Sequence, residues 1–227
     1  SDDLLKKSLA FRGGTALHKL YIQPQVRYSE DIDLVQINSE PINPILKQIR
    51  ERLAFLGTKR VVKQHIHNNT VIYRFDTSTQ PVINMRLKIE INTREHFTVL
   101  GLKEIPYKVE NGWFSGECNL TGYELEELLG TKLRALYQRR KGRDLFDLYW
   151  AMDHHNVDAE KLIHCYKTYM EYSVDKPPTQ KQFLVNMEEK LIDREFMEDI
   201  HAILKPGVEY DNITGWELIK NELIGKI

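Results

Sequence analysis

The feature that most limits what this chain can fold into is an alternation. In the stretch SEDIDLV, Asp31 and Asp33 are separated by one apolar residue and followed by another. Successive side chains of an extended strand point to opposite faces, so the pattern puts both carboxylates on one face and Ile32 and Leu34 on the other. One face must meet a core while the other holds two like charges. Such a pair is costly unless something positive lies between, and a hard, oxygen-seeking cation such as Mg2+, or Mn2+, meets that need.

Upstream, Gly13 and Gly14 let the backbone turn tightly and approach a ligand, and the helix expected over residues 15–21 aims its first N–H groups at an anion. Gly13, Gly14 and Thr15 thus make a phosphate seat. A Gly-Gly turn alone is commonly just a turn, and Asp-x-Asp alone is commonly surface charge. Their order, with a loop at Pro24 between them, is what phosphoryl or nucleotidyl transfer requires, since that chemistry is mostly positioning and charge neutralisation.

Further along, Ile42, Ile45, Leu46, Ile49, Leu53 and Leu56 recur at helical spacing between Pro44 and Gly57, which predicts a covering helix. Residues 59–65 and 70–76 read as a β-hairpin about an Asn68-Asn69 turn. His65 and His67 stand near its tip without a third metal ligand in view. In residues 85–92 Met85, Leu87, Ile89 and Ile91 form an apolar face, and Arg86, Lys88, Glu90 and Asn92 a polar one. Placed beside the aspartate strand, this segment would add Glu90 as a third carboxylate and set Lys88 near the acids or a phosphate. Placed elsewhere, it is a solvent-facing sheet with a cross-strand salt bridge. With the acid pair in hand the first arrangement is favoured, and it requires Asp31, Asp33 and Glu90 to converge within metal-bridging distance. Residues 93–120, punctuated by Gly101, Pro106, Gly112 and Gly116, suggest irregular or short β structure bridging two subdomains, with Gly112-Trp113-Phe114 as a packing corner.

From Thr121 the character is helical. Thr121 and Glu124 have capping-box spacing, and Leu125, Leu128, Leu129, Leu133 and Leu136 form a stripe with Lys132 in its middle. A lysine there must snorkel to water, or else deliver its ammonium to a nearby triphosphate. Arg140 and Asp144, like Arg143 and Asp147, are four apart and could pair on a continuous helix, as part of a salt-bridge network. Later helices are expected after an Asp158 cap, after a Thr179–Gln182 capping box, around Phe196 to Leu204 and around Trp216 to Leu223. They would shape an acceptor cleft, bind a partner or stabilise the domain.

GGTALHKLY followed by RYSEDIDL resembles the first motif of the nucleotidyltransferase superfamily in its AbiEii/AbiGii toxin-type form, and ELEELLGTKLRALYQRRKGRDLFDLYW resembles the later motifs of the same family. Together, residues 23–35 and 85–150 carry the likeness. It implies an α+β nucleotidyltransferase fold, a mixed sheet with flanking helices, followed by a C-terminal helical region. It also implies a nucleoside triphosphate substrate, Mg2+ on Asp31 and Asp33, and a basic residue two positions before an acid in a later strand, here Lys88 and Glu90. This acid is Glu where the family has Asp. Ser29 would hydrogen-bond a phosphate, Lys132 would contact nucleotide, and Arg143, Asp144 and Asp147 would support the site. The biological role implied is the toxin of a toxin–antitoxin or abortive-infection pair, with an antitoxin partner and RNA, such as a tRNA end, as acceptor. A binding module without turnover, and transfer to a protein or small molecule, are the alternatives.

The 227 residues, 41% of them hydrophobic, suffice for a core over 1–120 and a helical region over 121–227 packed on it and completing the nucleotide site. Lys and Arg number 32 against 33 Asp and Glu, so any RNA contact must come from a local patch and not from a global field. Cys118 and Cys165, far apart and without metal-ligand spacing, suit a reducing cytoplasm as buried or semi-exposed thiols. No apolar run approaches a membrane span, and the acidic start is no signal peptide. The chain begins shortly before the Gly-Gly turn, so a preceding helix could be lacking.

Overall fold

The acid strand runs through the middle of a seven-stranded mixed sheet. A computed structural model describes residues 2–227 and divides the chain into two units, one holding the residues up to Leu20 with Ser29–Tyr123, the other Tyr21–Tyr28 with Glu124–Ile227. In the first unit, α1 (Asp3–Ser8), β1 (Leu9–Arg12) and α2 (Gly13–Leu20) lead to β2 (Ile32–Gln36) and α3 (Asn43–Arg52). Five strands follow: β3 (Arg60–Gln64), β4 (Asn68–Asp76), β5 (Asn84–Asn92), β6 (Leu102–Glu110) and β7 (Ser115–Tyr123). The sheet order is β3-β4-β5-β2-β1-β7-β6, with β2 parallel to β5 and β1 parallel to β7.

Pattern explains which face is which. Ile45, Leu46 and Ile49 lie on one side of α3 and pack with Leu9, Val71, Tyr73, Ile89 and Ile91, while Ile32 and Leu34 border the same cluster. Burying an aliphatic side chain of this size contributes about 1.5–3 kcal/mol. That fixes strand register, since a slip by one residue would turn the acids into the core. Met85, expected in this set, is 42% exposed because the apolar cluster ends before it.

Four local expectations are corrected. Residues 102–123 are not irregular or short β structure but a hairpin of two nine-residue strands, β6 against β7. Pro106 is tolerated because β6 is the outermost strand, where a missing N–H breaks no required ladder bond. At its tip Trp113 and Phe114 are 85% and 63% exposed, so they form no packing corner. In the β3–β4 hairpin, Asn68 and Asn69 belong to β4 and the turn is 65–67, with His65 N–H donating to Asn68 O at 3.0 Å. Thr121 caps no helix. It sits in β7, opposite Glu104, and its hydroxyl donates to Lys6 O.

The second unit is helical: α4 (Leu125–Gln138), α5 (Gly142–His154), α6 (Ala159–Ser173), α7 (Gln180–Leu191), α8 (Arg194–Glu198) and α9 (Asn212–Glu222). Gly130 lets α4 lie close on α6, for a Cβ there would come within 2.7 Å of Cys165 Cβ and 2.9 Å of Tyr166 N. Cys165 is buried and Cys118 partly so. Asp158 caps α6, and Thr179 with Gln182 makes a full capping box on α7. Segment 21–28 joins this unit as a strap, with Tyr28 N–H donating to Ile203 O and Lys205 N–H to Val26 O. Among the described residues no helix is long and apolar enough to cross a membrane.

Candidate active site

Parallel pairing of β2 with β5 sets Asp33 directly beside Glu90, and Ile32 beside Ile89. Counting back by two along each strand puts Asp31 and Lys88 on that same face. Lys88 Nζ lies 3.1 Å from Asp31 Oδ2 and 2.9 Å from Glu90 Oε2. Burial by itself would lower the Lys88 pKa, but hydrogen bonds to Glu90 and Asp31 carry it above the ordinary lysine value, so the ammonium stays charged. The Asp31 side chain is 44% exposed and that of Glu90 30%, open to an incoming ligand.

The glycine turn faces these acids. Gly13 has φ +80°, and a Cβ on it would come within 2.2 Å of Asp33 Oδ2, so only glycine lets the backbone lie this close to the carboxylate. Its turn opens α2, which begins at Gly13 and not at Thr15 as expected. The Thr15 hydroxyl donates to Asp31 O at 2.5 Å and lies 2.8 Å from the Ser29 hydroxyl, which clamps the start of α2 to the approach of the acid strand. Arg12, opposite Asp33 in the β1–β2 register, pairs with the buried Glu95. Glu95 was not anticipated, since nothing local in the sequence distinguishes it.

The three acids do not form a closed cage. Among the described residues no group of three His, Cys, Asp or Glu side chains is gathered to hold a metal ion, His65 and His67 included. The convergence required of Asp31, Asp33 and Glu90 is therefore incomplete, and the Lys88 ammonium lies between Asp31 and Glu90. The donors nevertheless suit a small hard cation. Mg2+ is ordinarily held by one or two carboxylates with water and substrate phosphate oxygens completing its shell, and an all-protein cage is unusual for it.

The second unit contains its own buried charge network. Lys132 is 7% exposed and does not snorkel; its Nζ lies 2.9 Å from Asp144 Oδ1 and 2.9 Å from Asp147 Oδ2. Arg139 donates to both oxygens of Asp144, and Arg27 to both oxygens of Asp147. Burial alone would raise the Asp144 pKa, but Lys132 and Arg139 hold it below the usual carboxylate range. The anticipated pairs four apart are replaced: Arg140 bonds Asp193, and Arg143 bonds Asp199 through its N–H and its guanidinium. Arg27, Arg139 and Asp199 escaped the sequence reading because their partners are distant or on a neighbouring turn.

A mixed sheet with acids on adjacent parallel strands and a glycine turn laid against one of them is the nucleotidyltransferase fold, and the similarities to solved structures bear this out. MenT4, a nucleotidyltransferase toxin from Mycobacterium tuberculosis H37Rv, superposes with a TM-score of 0.62 at 15% identity, over 97% of this chain and 76% of that one. JHP933 from Helicobacter pylori superposes with a TM-score of 0.53 at 18% identity, over 98% and 88%. A comparison with curated proteins gives no match. The model of the nucleotidyl transferase AbiEii toxin family, type IV toxin–antitoxin system, matches residues 1–218, and the chain belongs to that family.

Proposed function

We propose that this chain transfers a nucleotidyl group from a nucleoside triphosphate, with Mg2+, to an RNA acceptor such as the end of a tRNA, as a cytoplasmic toxin held in check by an antitoxin. One observation carries the reading: β2 and β5 pair in parallel so that Asp31, Asp33, Lys88 and Glu90 share a face, with the Gly13 turn against Asp33. Asp31 and Asp33 would hold the Mg2+, with Glu90 completing the acidic set, and the ion would neutralise charge on the phosphates. Gly13, Gly14 and Thr15 seat the triphosphate through backbone N–H groups at the start of α2, and Ser29 offers a hydroxyl beside them. Glu90 accepts the proton of the attacking hydroxyl. That oxygen bonds to the α-phosphorus as the bond to the bridging oxygen breaks, and pyrophosphate leaves with the electron pair. Lys88 orients the two carboxylates and offsets negative charge as it builds.

The test is incubation with each labelled nucleoside triphosphate, Mg2+ and total bacterial RNA, beside an Asp31→Ala, Asp33→Ala variant. Label entering RNA only with the unaltered protein supports the reading and names the base. Label on a protein or small molecule instead would replace the RNA acceptor. Triphosphate binding indifferent to Mg2+, with no labelled product, would make the chain a binding module.

A further inference from the structure

The face that carries the acids bears a second charged feature. Arg74 on β4 and Arg86 on β5 are register partners, so their side chains stand side by side, two residues along β5 from Lys88. Like charges directly opposite in an antiparallel pair oppose the pairing they sit in. Both arginines are exposed, and among the described residues neither side chain has an acidic partner. Asp76, the next acid along β4 on that face, is engaged by the Asn84 amide at 3.0 Å. Other exposed cations of this nearly neutral chain stand singly or are matched with acids, as at Arg140–Asp193 and Arg194–Glu198; what sets Arg74 and Arg86 apart is that they face each other in register beside the acids.

Strand order gives the pair a direction. β2 lies between β1, which leads into the Gly13 turn, and β5 followed by β4. The triphosphate seat and the arginine pair therefore flank the acids from opposite sides. In nucleotidyl transfer the attacking and leaving oxygens lie roughly in line through phosphorus. With pyrophosphate leaving on the Gly13 side, the acceptor enters from the β4–β5 side.

We infer that Arg74 and Arg86 form an anion site that grips a backbone phosphate of the RNA acceptor and so brings its terminal hydroxyl to the acids. The inference rests on the RNA-acceptor reading above and adds the residues that enforce it. Guanidinium groups bind phosphate oxygens in a bidentate fork, which two lysines would not reproduce. An uncharged small molecule would gain nothing from the pair, and a protein acceptor would gain only from an acidic side chain beside its target.

The experiment titrates the full chain with a fluorescein-labelled single-stranded RNA over a salt series and measures label transfer from triphosphate. It compares the unaltered protein with Arg74→Gln/Arg86→Gln, and with Lys47→Gln/Arg50→Gln, which removes the same charge from α3 on the other face. The arginine variant is expected to bind RNA about tenfold more weakly and to lower the slope of log K against log salt by about 1.4. Its triphosphate affinity stays unchanged, and the α3 variant stays within about twofold of the unaltered protein. Equal weakening by both variants, or an unchanged slope, overturns the arginine site, while RNA labelling by the unaltered protein leaves the function standing. An unaltered protein that neither binds nor labels RNA removes both.

Discussion

Arg27 donates from Nε and Nη2 to the two oxygens of Asp147, at 2.6 Å each, across 120 residues of sequence. Both side chains are almost wholly buried, and Asp147 also receives Lys132. Asp147→Ala would leave two cations without this carboxylate in a low-dielectric interior. The expected loss is about 3–5 kcal/mol of stability, read as a fall in the urea midpoint, with Asp147→Asn losing less. A loss under about 1 kcal/mol would show that the network relaxes to water.

Gly13→Ala tests the seat. A methyl group at φ +80° meets the Asp33 carboxylate, and the left-handed backbone adds about 1–2 kcal/mol of strain. Transfer is expected to drop about 100-fold, the usual cost of a displacement near 1 Å in a reacting site. The unfolding midpoint should move far less than the activity.

Lys88→Met removes the ammonium shared by Asp31 and Glu90. Single-turnover transfer at saturating triphosphate is expected to fall about 10²–10³-fold. Because the site is partly open to water, stability should change by less than about 1 kcal/mol. A rate within a few-fold of the unaltered protein would leave Lys88 with no part in the reaction.

Acid should weaken the fold through Asp144. Its pKa in the folded state is depressed by Lys132 and Arg139 against the effect of burial. A carboxylate of this kind contributes its full stability above the unfolded value of about 3.9, and the contribution is lost as pH falls through the lower folded value. Denaturation between pH 2 and 6 should show this slope below about pH 4, and Asp144→Asn should flatten it.

Lys190 behaves in the opposite range. Its Nζ donates to the carbonyls of Leu136 and Tyr137 in the last turn of α4, and burial, with help from Arg140, lowers its pKa to about 8. Between that value and about 10.4 the unfolded chain binds more protons, so stability should rise with pH in this window. Lys190→Met should abolish the rise and cost about 1–3 kcal/mol for the carbonyls left unpaired.

What the sequence made legible follows from the range of each effect. Asp31, Asp33, Lys88 and Glu90 could be assigned to shared faces because strand alternation is fixed within two residues, whatever the neighbour. The Thr179–Gln182 box and the Asp158 cap are equally local. Pro106 and Gly116 misled, because a breaker in an interior strand is acceptable in an edge hairpin, and edge position is a property of the whole sheet. Lys132 could not be resolved from its helix alone, since the carboxylates that hold it come from α5.

The strap over residues 21–28 belongs to a unit otherwise built from residue 124 onward. At about 5–20 residues per second on a ribosome, Arg27 waits roughly 6–24 s before Asp147 is even made. A chain synthesised to residue 120 thus has Asp31, Asp33 and Glu90 and none of the helices that fasten the strap. The order of translation itself holds the strap unfastened until residues 203–205, which bond Tyr28 and Val26, have been made.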